Sequence, residues 1–131
     1  MIGNVPDQAD VRAQIETEML NVHETSYGTT ADSVVVHILD DLVLVILDEL
    51  ELSLAERTLI DGGNSETVLR TRSAFQEAIE PTFSSIVERA TGRRVASFLS
   101  TTSLAGMCSV EMFRLHPVTA LSAAPGDGVA A

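Results

Sequence analysis

The chain has no lysine, no tryptophan, a single cysteine (Cys108) and only 4% aromatic residues in its 131 positions. Each shortage excludes something. Without lysine there is no Schiff-base chemistry and no P-loop phosphate clamp. A lone cysteine cannot form an intrachain disulfide and suits a reducing cytoplasm. With so few aromatic rings, aliphatic side chains must build the core. No stretch approaches the roughly 18 apolar residues that span a bilayer; the longest pure apolar run is residues 42–47. The first ten residues, MIGNVPDQAD, offer neither a basic n-region nor an apolar h-region, so a secretory signal and direct membrane insertion are not expected.

Positive charge is also scarce. Nineteen acids face eight bases, all arginine, for a net charge of -11. That balance opposes binding to nucleic acid or to an anionic membrane surface, both of which demand a basic footprint. Acid enrichment without lysine fits a salt-rich cytoplasm, and arginine-biased codon usage explains the missing lysine equally well.

What is present reads as one domain of ordinary size, with residues 1–9 as a flexible N-terminus, 10–115 as the folded unit and 116–131 as a disordered tail rich in Pro, Ala, Gly and Ser. Val11, Ile15, Met19 and Val22 follow helical spacing on one apolar face over residues 10–27, and Gly28 supplies a stop. Two short strands, residues 33–40 and 42–48, meet at an Asp40–Asp41 turn. The second is apolar on both faces, which predicts a sheet-interior strand covered on both sides. Ser53 and Glu56 match a capping box that opens a short helix. A long helix runs from about residue 64 to Gly92 with Val68, Phe75, Ile79, Phe83, Ile86 and Ala90 as its buried stripe and a kink at Pro81. Strands over 94–101 and 107–115 complete an α-β-β-α-α-β-β order. The expected fold is α+β: a four-stranded antiparallel sheet of two hairpins with helices packed on it. To cover the far face of the sheet, either the first helix crosses over or a second subunit packs there, and a homodimer is the favoured reading.

Chemistry-bearing patterns are sparse. Asp40, Asp41, Asp48, Glu49 and Glu51 lack calcium-loop spacing and read as solvated strand ends. His23, His37 and His116 are scattered without a zinc pattern, so no metal and no cofactor are expected. Cys108 reads as a small core hydrophobe. His37, on a strand, is the most interesting of the three histidines as a candidate binding residue. Arg93 and Arg94, one turn after Arg89 at a helix C-terminus, complement the dipole or alternatively engage a carboxylate or small anion.

Four segments carry a resemblance: residues 41–47 (DLVLVIL), 52–59 (LSLAERTL), 72–78 (RSAFQEA) and 91–100 (TGRRVASFLS). Together they resemble the MpsC-like family, a small prokaryotic domain labelled for a sodium-translocating, membrane-potential-generating system. The resemblance spans about residues 11–115. It implies association with a membrane cation or inorganic-carbon transport system, and hence a cytoplasmic accessory subunit that reaches the membrane through a transport-protein partner. No catalytic residue set is implied. The chain departs from the family pattern at residues 28–31, which lack the arginine and proline of a Gly-Arg-Gly-Pro type segment, and at residues 48–53, where Asp-Glu-Leu-Glu-Leu-Ser stands in place of Glu-Gly-Val-Leu-Thr. The alternative reading is a small-molecule-binding or enzymatic domain with a pocket between helix and sheet, using His37 and nearby carboxylates.

Overall fold

The polypeptide alternates from helix to sheet as its periodicities demand. A computed structural model describes residues 7–118. Three helices, α1 (Gln8–Tyr27), α2 (Leu54–Asp61) and α3 (Ser65–Thr91), accompany four strands, β1 (Ala31–Leu39), β2 (Leu42–Leu50), β3 (Val95–Ser103) and β4 (Cys108–Leu115). The strands form one antiparallel sheet in the order β1-β2-β4-β3. The chain is thus an α+β fold with the expected element order. The part of the proposed tail beyond residue 118, and the first six residues, lie outside the described residues.

Local chemistry sets the boundaries. Gly28 and Gly92 close α1 and α3 in the left-handed conformation, at φ 72° and 73°, which a residue without Cβ adopts at little cost. Asp40, at φ 51°, turns the first hairpin between the paired Leu39 and Leu42. Ser53 caps α2 through a complete capping box with Glu56. α3 runs unbroken through Pro81, which is exposed.

α1 packs on β1 and on α3, and α3 on β3, so both long helices lie on one face of the sheet. That face supplies the core: Val36, Val43, Val45, Leu47, Phe113 and Leu115 meet Val11, Ile15, Met19, Phe83, Ile86 and Val87. Alternation along β2 leaves Leu42, Leu44 and Ile46 half-buried on the opposite face. The expectation that β2 is covered on both sides therefore holds for one side only within this chain, because α1 does not cross over. A second correction concerns α3. Phe75 is 41% exposed rather than buried, and Arg72 and Gln76 point inward in its place. The buried stripe of α1 also continues to His23 instead of Val22, since 11, 15, 19 and 23 keep a strict four-residue step on one helix face. Cys108 is half-buried at the start of β4, and by alternation it stands on the open face.

Candidate functional site

The two faces of the sheet differ in chemistry. On the open face, strand alternation aligns Val35, Leu39, Leu44, Ile46, Leu99 and Met112 across all four strands. Leu99 is 65% exposed and Leu39 58%, well beyond scattered surface hydrophobes. A depression of about 300 Å³ lined by Leu99, Val110 and Met112 indents this surface. Although the chain carries nineteen acids, the paired residues of this face include a single carboxylate, Asp48, at one end. Arg114 stands at the other end, opposite Leu42 in the ladder.

The covered face hides a polar layer. Arg72 on α3 is 1% exposed. Its Nε donates to Glu56 Oε2 at 2.7 Å and its Nη2 to Glu56 Oε1 at 3.0 Å. Glu56 thereby serves two masters, since Oε1 also accepts the Ser53 backbone N–H that completes the α2 cap. Burial alone would raise the Glu56 carboxyl, but hydrogen bonds from Arg72 and Ser53 outweigh it and hold the group below its ordinary range. The Arg72 guanidinium also sits 4.8 Å from the centre of the Tyr27 ring, a cation–π distance. Tyr27 stacks obliquely between His23 and Phe75. Burial pushes its phenol up to about 12, with Arg72 opposing and Glu111 adding to the rise. His23 is 1% exposed, and neither ring nitrogen has a hydrogen-bond partner. Burial and then the Arg72 charge lower its pKa to about 4, so the imidazole is neutral in the fold.

Glu111 lies deepest in this layer. It is fully buried on β4, opposite Val45 on one side and Ser100 on the other, and its carboxyl makes no well-formed hydrogen bond. Burial pushes its pKa up to about 7, offset in part by the Ser100 hydroxyl. Between α3 and β3 a pocket of about 230 Å³ is lined by Leu69, Ser73, Gln76, Ser100, Thr101 and Thr102. A second, of about 240 Å³, opens between α2 and α3 beside Tyr27, Glu56 and Arg72.

The residues singled out from sequence lie elsewhere and apart. His37 is exposed on the open face, paired with Leu44, so it cannot contribute to a pocket between helix and sheet. Arg93 is committed to internal contacts. Its Nη1 donates to the Asp40 carbonyl, and its Nη2 to Asp41 Oδ1 and the His116 carbonyl, both at 2.6 Å. It thereby ties the end of α3 to the first hairpin turn and to the exit of β4. Arg94 is exposed, and its carbonyl accepts from His116 N–H. Arg93→Ala should therefore cost about 1–3 kcal/mol and Arg94→Ala less than about 0.5, as read from urea midpoints. Equal effects would remove the structural assignment of Arg93. Sequence reasoning missed Arg72, Gln76 and Glu111, and it named His23 without placing it in the buried layer. The available cue was spacing: Val68, Arg72 and Gln76 share a four-residue step, and Glu111 shares strand parity with Phe113 and Leu115.

Among the described residues, no group of three or more His, Cys, Asp or Glu could hold a metal ion, and no helix is long and apolar enough to cross a membrane. A family model described as "Na+-translocating membrane potential-generating system (MpsC)" matches residues 7–116. No curated protein and no solved structure matches the chain.

Proposed function

Because the chain belongs to the MpsC family, we propose that it is a non-enzymatic accessory protein of a membrane cation or inorganic-carbon transport system, working as a cytoplasmic homodimer closed through the open face of its sheet. The observation that carries this reading is the apolar surface spanning all four strands, with Leu39 and Leu99 more than half exposed. Surfaces of this kind mark association sites. The near absence of carboxylates there, on a protein of net charge -11, keeps like charges out of the contact itself.

The ends of the face favour a second copy as the occupant. Asp48 lies six positions along β2 from Leu42, the ladder partner of Arg114, a separation of about 20 Å at strand rise. A two-fold axis in the interface, perpendicular to the strands, sets Arg114 over the partner subunit's Asp48 at both ends of the contact. Such self-complementarity is what an isologous dimer requires. The exposed His37 then falls within the interface, not in a reaction site. Arg94 remains outside it as an exposed charge for the membrane partner.

Ile46→Asp should convert a dimer into a folded monomer in sedimentation and light scattering. Asp48→Arg and Arg114→Asp should each weaken the dimer, and the double exchange should restore it. Wild-type protein that stays monomeric at every concentration overturns the dimer. Vesicles carrying the transport system should retain the protein while lipid-only vesicles do not, and equal retention overturns the accessory role.

A further inference from the structure

The open face of the sheet has a shape as well as a composition. Its depression of about 300 Å³ lies between β3 and β4, bounded on that face by Leu99, Thr101, Val110 and Met112. No charged side chain lines it. Leu99 stands on its rim at 65% exposure, the most exposed large apolar side chain of the sheet. The two-fold axis that pairs Arg114 with the partner subunit's Asp48 fixes what this depression meets. Midway between Leu42 and Asp48 lies Val45, whose ladder partner is Glu111, which in turn pairs with Ser100. The axis therefore crosses β3 at Ser100, with Leu99 one residue to one side and Thr101 one residue to the other. Rotation about it sets Leu99 over the partner subunit's Thr101. The depression straddles the same level, so it faces its own copy.

We infer that Leu99 is the anchor of the dimer: it enters the depression of a second copy above that copy's Thr101, while the partner subunit's Leu99 does the same in return. This rests on the face-to-face dimer proposed above. Sheets packed face to face lie about 10 Å apart with their side chains interdigitated. A leucine that protrudes from one face over a threonine on the other, beside a hollow walled by Val110 and Met112, supplies that interdigitation twice per dimer. Position favours it as well. Binding energy concentrates near the centre of an interface, where water is excluded, and contacts at the rim contribute little. Leu39 gives the contrast. It is 58% exposed but pairs with Leu42 at the hairpin end, three residues from the axis. There the rotation sets it over the partner subunit's Ser33, since Ser33 pairs with Asp48. Exposure alone would rank the two leucines alike, and the symmetry separates them.

Sedimentation equilibrium of the full chain measures the dimer dissociation constant of each variant. Leu99→Ala should raise it about a hundredfold or more, because both copies lose the anchor, and Leu39→Ala by less than about tenfold. Both side chains are exposed within one chain, so neither truncation opens the core, and circular dichroism should match the wild type. Leu99→Thr combined with Thr101→Leu reverses knob and hollow, and should recover at least about tenfold of the affinity that Leu99→Thr loses. Leu99→Thr combined with Ser97→Leu returns a leucine to the same strand but sets it over the partner subunit's Ser103, and should recover none. Equal weakening by Leu99→Ala and Leu39→Ala, or equal recovery in the two double variants, overturns the anchor and leaves the dimer standing. A wild-type chain that stays monomeric overturns the dimer itself, and this inference with it.

Discussion

Glu56→Ala should lower folding stability by about 3–5 kcal/mol, the range for stranding one partner of a buried ion pair. The Arg72 side chain is 1% exposed against 18% for Glu56, so the charge left behind is the one water cannot reach. Its other groups offer little relief. Nη1 has no hydrogen-bond partner, and Nη2 reaches the Glu51 carbonyl only at 3.5 Å. The same substitution opens the capping box of α2, a helix with no buried residues of its own. Ser53→Ala isolates the cap and should cost about 1 kcal/mol. Arg72→Met added to Glu56→Ala removes the stranded charge and should recover much of the loss. Urea midpoints with unchanged slopes give these differences directly. If Glu56→Ala costs no more than Ser53→Ala, the ion pair is not what holds α2 against α3.

The second large effect concerns pH. Glu111 has its pKa raised from 4.5 to about 7 by burial. Stability tied to its neutral form is complete below 4.5 and is lost as pH rises through 7, about 3 kcal/mol in all. His23 has its pKa lowered from 6.5 to about 4, chiefly by burial. Stability tied to its neutral form is complete above 6.5 and is lost as pH falls through 4, again about 3 kcal/mol. Between 4.5 and 6.5 the two slopes oppose each other, so the wild-type protein should show a nearly level stability there. Glu111→Gln should uncover a curve that climbs to a plateau above 6.5. His23→Phe, which keeps the ring contact with Tyr27, should uncover one that declines from 4.5 to 7. Tyr27, pushed up to about 12, stays neutral throughout. Urea titrations from about pH 4 to pH 8 separate the curves. A Glu111→Gln profile parallel to wild type would show that the carboxyl does not titrate in that window.

The parts of this fold that were legible in the chain are those set by neighbours in sequence. The capping box at Ser53, the glycine stops at 28 and 92 and the two-residue turn at Asp40–Asp41 all depend on residues within a few positions of one another. The inward polar residues depend on partners far along the chain. Arg72 is sixteen residues from Glu56, and at helical spacing an arginine between Val68 and Phe75 reads as surface. In β4 the ambiguity was sharper, because Val110 and Met112 make as convincing a buried face as Phe113 and Leu115. Alternation alone would turn Glu111 outward with Ser109. What decides the matter is that Phe113 meets Phe98 at 5.0 Å, and Phe98 meets Phe83 of α3 at 6.5 Å. That stack orients the strand and carries Glu111 inside. The half-covered β2 was unreadable for a different reason: periodicity shows that a face is apolar without saying which molecule covers it.

The strand order has a consequence during synthesis on the ribosome. β2 sits between β1 and β4, yet β4 is the last of these four strands to be made. From the time Leu50 emerges until Leu115 follows, the β1–β2 hairpin presents an unpaired edge with aliphatic side chains on both surfaces. The nascent chain must keep that edge from pairing with a neighbour over the intervening translation, at about 5–20 residues per second. The acidic excess acts in the same direction, because like-charged neighbours repel one another.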